Sequence, residues 1–143
     1  MQKSLKSIRG HDPDHLNTPR LIADSTGTTV WRWDQGEPFG NDVPNDDPNS
    51  TGNHFDFPLR FAGQYFDRET NLHYNYFRDY DPSLGIYKQS DPIGLRGGLN
   101  PCAYAAGNPL VFVDPNGDSI IQIVAIAVTA YGFYRIGMAL TAA

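Results

Sequence analysis

Cysteine is nearly absent from this sequence. Cys102 stands alone, so no intrachain disulfide can form and a small oxidised scaffold is excluded. No reactive motif surrounds it, and it reads as a buried structural residue. Basic residues are few as well: 11 Lys and Arg stand against 16 Asp and Glu, for a formal net charge of −5. That argues against nucleic acid as a partner, because phosphate binding needs a basic surface. Lys3, Lys6 and Arg9 are too few to change it. The first ten residues lead into no apolar run of signal-peptide type. No phosphate loop, Cys-x-x-Cys pair or Gly-x-Ser-x-Gly elbow is present, and no cofactor is expected. Histidine is scarce too. His11, Asp12, Asp14 and His15 lie in a Pro-containing loop and read as solvated polar residues, so no metal is expected. The sequence names no chemical partner for His54 or His73.

What is plentiful is aromatic and turn-forming. Aromatics make up 13% of the chain, with 14 Gly and 11 Pro. Aromatic runs punctuated by Gly and Pro predict β-structure. Residues 1–20 are polar and show no period. Residues 21–33 predict a hairpin around Ser25-Thr26-Gly27. Residues 34–56 are rich in Asn and Asp and predict an exposed, partly mobile loop. A strand is expected over 59–66 and a turn over 67–71. A second strand is expected over 72–80, with Leu72, Tyr74, Tyr76 and Tyr80 on one face. Another turn follows over 81–85, then a strand from Ile86. The turns repeat loosely as Asp24…Gly27, Asp67…Asn71 and Asp81…Gly85, as in an array whose units bury their faces on one another. Residues 90–117 are rich in Gly, Pro and Asn, with a short helical turn expected within 99–106. From Ile120 on, Gln122 and Arg135 are the only strongly polar side chains, and 119–134 predicts one apolar helix. A membrane span needs roughly 20 apolar residues. Residues 120–134 fall short of that, and extension to Leu140 reaches it with one charge inside. Burial in a protein cavity and membrane insertion are both open, since a helix apolar all round must be buried somewhere.

Residues 71–117 carry a series of landmarks in order: Tyr74-Asn75 with Phe77-Arg78, Tyr80-Asp81-Pro82…Gly85, Asp91-Pro92-Ile93-Gly94-Leu95, Gly97-Gly98-Leu99-Asn100, Tyr104-Ala105, Asn108-Pro109 and Asp114-Pro115-Asn116-Gly117. Upstream stand Asp14-His15-Leu16-Asn17-Thr18-Pro19-Arg20 and Phe61-Ala62-Gly63-Gln64-Tyr65-Phe66-Asp67. From Asp14 to Gly117 the chain resembles the repeat-associated core of the Rhs/YD-repeat polymorphic toxins. The resemblance implies a mainly β fold: an antiparallel β-meander of YD-repeat type at the end of a β-cocoon shell. A Gly/Pro-rich core plug and the C-terminal apolar helix complete it. It divides the chain into a polar segment 1–13, the core 14–117 and the apolar tail 118–143.

Members of that family are large secreted bacterial toxins, including type VI effectors and shell components of insecticidal complexes. The core plugs a hollow shell, and an aspartic-protease-like pair cuts the enclosed toxin from it. By position the pair falls on Asp91 and Asp114, and the cut falls between Asp118 and Ser119. Two carboxyls held close cannot both ionise cheaply and share a proton, so one serves as general base toward water and the other as general acid. Asp before Pro also starts ordinary turns, and Asp12, Asp47 and Asp81 share that context. The chain departs from the family at Asp118, where relatives carry Leu or another bulky apolar residue. A carboxylate in an apolar subsite is costly. The resemblance further implies that the chain is a C-terminal fragment of a larger toxin, made in a bacterial cytoplasm and delivered to target cells. Its expected partners are the remaining repeat shell or toxin cargo, in cis or in trans, an immunity protein and a secretion-system component. The tail 118–143 is short for an enzyme domain, and membrane contact is one of the two fates open to it. A non-cleaving structural remnant is the competing reading.

Overall fold

Short antiparallel strands alternate with Asp-initiated turns along most of the chain. The computed structural model describes residues 8–120. One sheet has the order β1 (Ile8–Pro13), β2 (Pro19–Asp24), β3 (Thr29–Arg32). The other has the order β4 (Tyr65–Asp67), β5 (Leu72–Asn75), β6 (Arg78–Asp81), β7 (Ile86–Tyr87). Each strand pairs with its neighbour in sequence, so the expected meander is the observed topology. Beyond β7 the regular elements among the described residues are 3-10 turns, at Gly94–Gly97 and Ala105–Gly107. The helical turn expected within 99–106 is therefore confined to its last residues. The apolar helix expected over 119–134 lies outside the described residues from 121 on. Among the described residues no helix is long and apolar enough to cross a membrane.

The repeated turns share one device. Asp24 Oδ1 accepts the N–H groups of Thr26 and Thr28, and Asp81 Oδ1 accepts that of Ser83. Asp67 Oδ1 likewise takes the N–H of Glu69. An Asp carboxylate satisfies the backbone donors of its own turn, and a residue at positive φ (Gly27, Asn71, Gly85) closes it. Asp14 does the same for Leu16 and Thr18, which turns β1 back onto β2. β1 itself has no counterpart in the sequence reading. It pairs through its backbone with β2, with register shifts after Ile8 and Asp12, and such pairing leaves no side-chain period to read.

Two further differences follow from turns hidden among apolar residues. The stretch 59–66 is not one strand. It folds over at Phe61, with Gln64 N–H donating to the Phe61 carbonyl at 2.8 Å. Gly63 at the bend has φ +85°, and a Cβ there would lie 1.9 Å from the Pro115 carbonyl oxygen. The stretch 72–80 is likewise two strands, β5 and β6, joined at Tyr76-Phe77. Tyr74 and Tyr76 point outward at 51% and 65% exposure, while His73 and Asn75 are buried. The alternation is real, but the inward face of β5 is the polar one. Loop 34–56 is fastened to the core at several points. Trp33 Nε1 donates to the Asp42 carbonyl, Tyr80 Oη donates to that of Phe39, and Arg32 and Asn45 exchange backbone hydrogen bonds.

The core is an aromatic cluster that unites the two sheets: Trp31 and Trp33 from the first, Tyr80 and Tyr87 from the second, with Phe61 and Tyr104 between. Phe61 stacks on Tyr104 at 5.6 Å, and Tyr104 packs against Tyr80 at 4.5 Å. Such ring pairs contribute about 0.5–1.5 kcal/mol each beyond their buried area. His73 sits in this layer, its Nδ1–H donating to Gln64 Oε1 at 2.8 Å. Burial lowers its pKa to about 3, with the Arg60 charge adding to the effect.

Two predictions follow. In the unfolded chain His73 takes a proton near pH 6.5; in the folded chain it refuses one until about pH 3. Its contribution is fully present above pH 6.5 and is lost as pH falls toward 3, at a cost of a few kcal/mol. Urea unfolding of the native chain and of His73→Gln between pH 7 and 4 should show a shallower pH dependence in the variant. Gly63→Ala should lower stability by about 2 kcal/mol or more, from the left-handed backbone and the clash with Pro115. A midpoint equal to the native one would mean that the bend does not dock on the 114–117 loop.

Candidate functional site

The buried polar face of β5 leads to a cluster of charged residues beneath the aromatic layer. Arg78 opens β6 with its side chain 2% exposed. Its Nη2 lies 3.0 Å from Asp114 Oδ2 and 3.2 Å from Asp91 Oδ2. Nη1 donates to the Pro101 carbonyl at 3.0 Å, and Nε donates to that of Gly117. The guanidinium plane lies 3.7 Å from the Tyr87 ring centre. Arg78 therefore gathers β6, β7 and three segments of the Gly/Pro-rich region onto one group. A buried cation is tolerated because two carboxylates and two carbonyls surround it.

Asp91 and Asp114 are turn aspartates of the kind seen at Asp24 and Asp81, but their carboxylates face inward. Asp91 Oδ1 accepts the Ile93 N–H at 2.9 Å. Gly97 lies against the other oxygen, where a Cβ would approach to 2.4 Å, so only glycine leaves room for the carboxylate. Asp114 Oδ1 accepts three successive N–H groups: Gly117 at 2.8 Å, Asp118 at 3.1 Å and Ser119 at 3.2 Å. Its Oδ2 accepts Tyr87 Oη–H at 3.0 Å as well as Arg78. Asn75 Nδ2 donates to Tyr87 Oη and to the Asp114 carbonyl, both at 2.7 Å, and so directs the phenol proton toward Asp114. Burial, reinforced by the Asp114 charge, raises the Tyr87 pKa and keeps the phenol a donor.

The structure thus brings together all four residues singled out in the sequence: Asp91, Asp114, Asp118 and Ser119. Arg78 Nη2 stands between the two aspartates, 3.0 Å from Asp114 Oδ2 and 3.2 Å from Asp91 Oδ2. Arg78, Tyr87 and Asn75 received no role from the sequence. A polar residue alternating with aromatics, as Asn75 does between Tyr74 and Tyr76, was the available signal. The other candidates are engaged elsewhere. Asp14 pairs with Arg20 at 2.5 Å, and His15 Nε2 lies 3.0 Å from the Leu110 carbonyl. Among the described residues no group of three or more His, Cys, Asp or Glu side chains is arranged to hold a metal ion. Cys102 is half-buried rather than buried; its carbonyl accepts the Tyr87 N–H at 2.8 Å.

Breaking a buried ion pair by removing one partner costs about 3–5 kcal/mol. Arg78→Met should lower stability by that amount. Arg78→Lys should recover only part of it, since an ammonium cannot serve four acceptors at fixed angles. Urea midpoints of the two variants test this; a lysine variant as stable as the native chain would show that charge alone suffices.

No protein-family model matches the chain. It is 41% identical over 119 residues to toxin protein Tse5 of Pseudomonas aeruginosa, covering 82% of this chain and 8% of that protein. It is 38% identical over 106 residues to the probable deoxyribonuclease RhsA of Dickeya dadantii, covering 70% of this chain and 7% of that protein. The crystal structure of TcdB2-TccC3 without its hypervariable C-terminal region matches with a TM-score of 0.64 at 26% identity, over 75% of this chain and 5% of that one. The chain therefore spans less than a tenth of the length of these relatives. The matches cover 70–82% of the chain, the solved structure shares its β fold, and the chain belongs to the Rhs/YD-repeat family, whose repeat-associated core it carries.

Proposed function

We propose that this chain forms the C-terminal end of a shell enclosing a bacterial toxin, and that its core cuts its own backbone between Asp118 and Ser119. One observation carries the cleavage reading. The Ser119 N–H rests on Asp114 Oδ1 at 3.2 Å, while Asp114 Oδ2 shares Arg78 Nη2 with Asp91. That nitrogen is the leaving group when the bond breaks, so a carboxyl group stands where the departing amine must be stabilised. Asp91 completes the acidic pair, and Arg78 and Tyr87 hold it in place.

The remaining repeat shell, in cis or in trans, is the partner for the outer edge of β1, which pairs with no strand among the described residues. Residues 119–143 are the released segment, with the membrane as their target. An immunity protein and a secretion system serve the whole protein, made in the bacterial cytoplasm and delivered to a target cell. A second reading, a shell piece that does not cut, is favoured by the half-buried carboxylate of Asp118 at a position where the family resemblance implies an apolar residue.

Intact mass after expression tests the proposal. The native chain should yield two products that meet after Asp118. Asp91→Asn and Asp114→Asn should stay whole or cut about a hundredfold more slowly, with circular dichroism establishing that each variant folds. A native chain that stays whole would leave the structural reading.

A further inference from the structure

We infer that the Tyr87 hydroxyl, aimed by Asn75, is a positioning group for the self-cleavage, a role that rests on the cleavage reading above. It fixes the Asp114 carboxylate with one oxygen on the bond to be cut and the other turned toward Asp91. Tyr87 acts through Asp114 and is not itself a catalytic residue. Arg78 does not distinguish the two aspartates. Its Nη2 lies 3.0 Å from Asp114 Oδ2 and 3.2 Å from Asp91 Oδ2, so it draws both carboxylates to one point. Tyr87 Oη–H donates to Asp114 Oδ2 at 3.0 Å, and among the described residues no hydrogen bond joins it to Asp91. The hydroxyl thus gives one member of the pair a side-chain donor that the other lacks. Asp114 Oδ1 is then left to the N–H groups of Asp118 and Ser119, at 3.1 and 3.2 Å.

A phenol proton can swing between acceptors, and Asn75 removes the choice. Its Nδ2 lies 2.7 Å from Tyr87 Oη and 2.7 Å from the Asp114 carbonyl oxygen. A carbonyl only accepts, so the amide nitrogen faces that way. Tyr87 Oη accepts from the same nitrogen, and its own proton is left for Asp114. Asn75 and Tyr87 therefore grip Asp114 twice, at the main-chain carbonyl and at the carboxylate. They reach it from β5 and β7, on either side of β6, which carries Arg78. All three residues are buried, so little solvent competes for these bonds. The titratable groups facing the hydroxyl are Asp114, Tyr104 and Arg78, with Asp91 beyond Arg78 Nη2. Burial raises the Tyr87 and Tyr104 pKa values, and the Asp114 charge adds to both, so neither phenol ionises where the pair works.

The test follows intact mass of the full chain over time, across a range of pH, for the native protein, Tyr87→Phe, Asn75→Ala and the double variant. Phenylalanine keeps the ring that lies against Arg78 and removes only the hydroxyl; urea midpoints establish that each variant folds. Tyr87→Phe should cut about tenfold more slowly, from a less fixed carboxylate. A donor to a carboxylate favours its charged form, so losing it should move the acid limb of the rate profile up by about one pH unit. That limb belongs to the pair as a unit. Asn75→Ala should shift it in the same direction, and in the double variant the limb should lie where Tyr87→Phe alone puts it, since no proton remains to be aimed. A Tyr87→Phe chain that cuts at the native rate, or more slowly with the limb unmoved, would overturn the inference and leave self-cleavage standing. Should Tyr87→Phe not fold, an unmoved limb in Asn75→Ala would overturn it equally. A native chain whole at every pH would overturn both readings.

Discussion

One buried guanidinium organises the C-terminal half of this molecule. Arg78 reaches Asp91, Asp114, Pro101 and Gly117, which belong to separate stretches of the Gly/Pro-rich region. None of those stretches has a helix or a strand to hold it. Their shape comes from tight turns and from acceptors converging on one cation. The cost of desolvating that cation is offset only when all the acceptors are in place, so the region forms as a unit or not at all. The aromatic cluster supplies the surrounding apolar layer, and Tyr87 belongs to both, its ring under Arg78 and its hydroxyl on Asp114.

The same local device builds scaffold and site. Asp followed by a Gly- or Asn-containing turn closes the hairpins at Asp24, Asp67 and Asp81, where the carboxylate accepts the backbone donors of its own turn. At Asp91 and Asp114 it performs the same task with one oxygen and turns the other onto Arg78. Structural and functional readings of these two aspartates are therefore compatible. A turn that fixes a carboxylate is also a way to aim it.

The polar side of β5 is the counterpart of this arrangement. A strand that turned its tyrosines inward would gain apolar burial. Here His73 and Asn75 are inside and Tyr74 is outside. Asn75 is needed at the Tyr87 hydroxyl, and His73 stays neutral because burial disfavours its charged form. This polar interior joins the aromatic layer to the charged cluster without leaving Asp114 and Tyr87 to face only hydrocarbon.

Much of the fold was legible because its signals are local. Turn residues at short intervals, with β-branched and aromatic runs between them, determine a meander of short antiparallel strands. The ordered motifs from Asp14 to Gly117 marked Asp91 and Asp114. β1 was not legible, because backbone pairing across register shifts leaves no side-chain period. The bends at Gly63 and at Tyr76-Phe77 were hidden among apolar residues, since a positive φ beside a distant carbonyl is a tertiary demand. The inward face of β5 was misread because periodicity gives two faces without saying which is buried. The sequence by itself determined the Asp-initiated turns and the succession of short antiparallel strands between them, which depend on neighbours a few residues away. Only the tertiary structure decided that Asp91 and Asp114 meet at Arg78, with the Asp118 and Ser119 N–H groups on Asp114, because one cation collects acceptors from segments far apart in the chain.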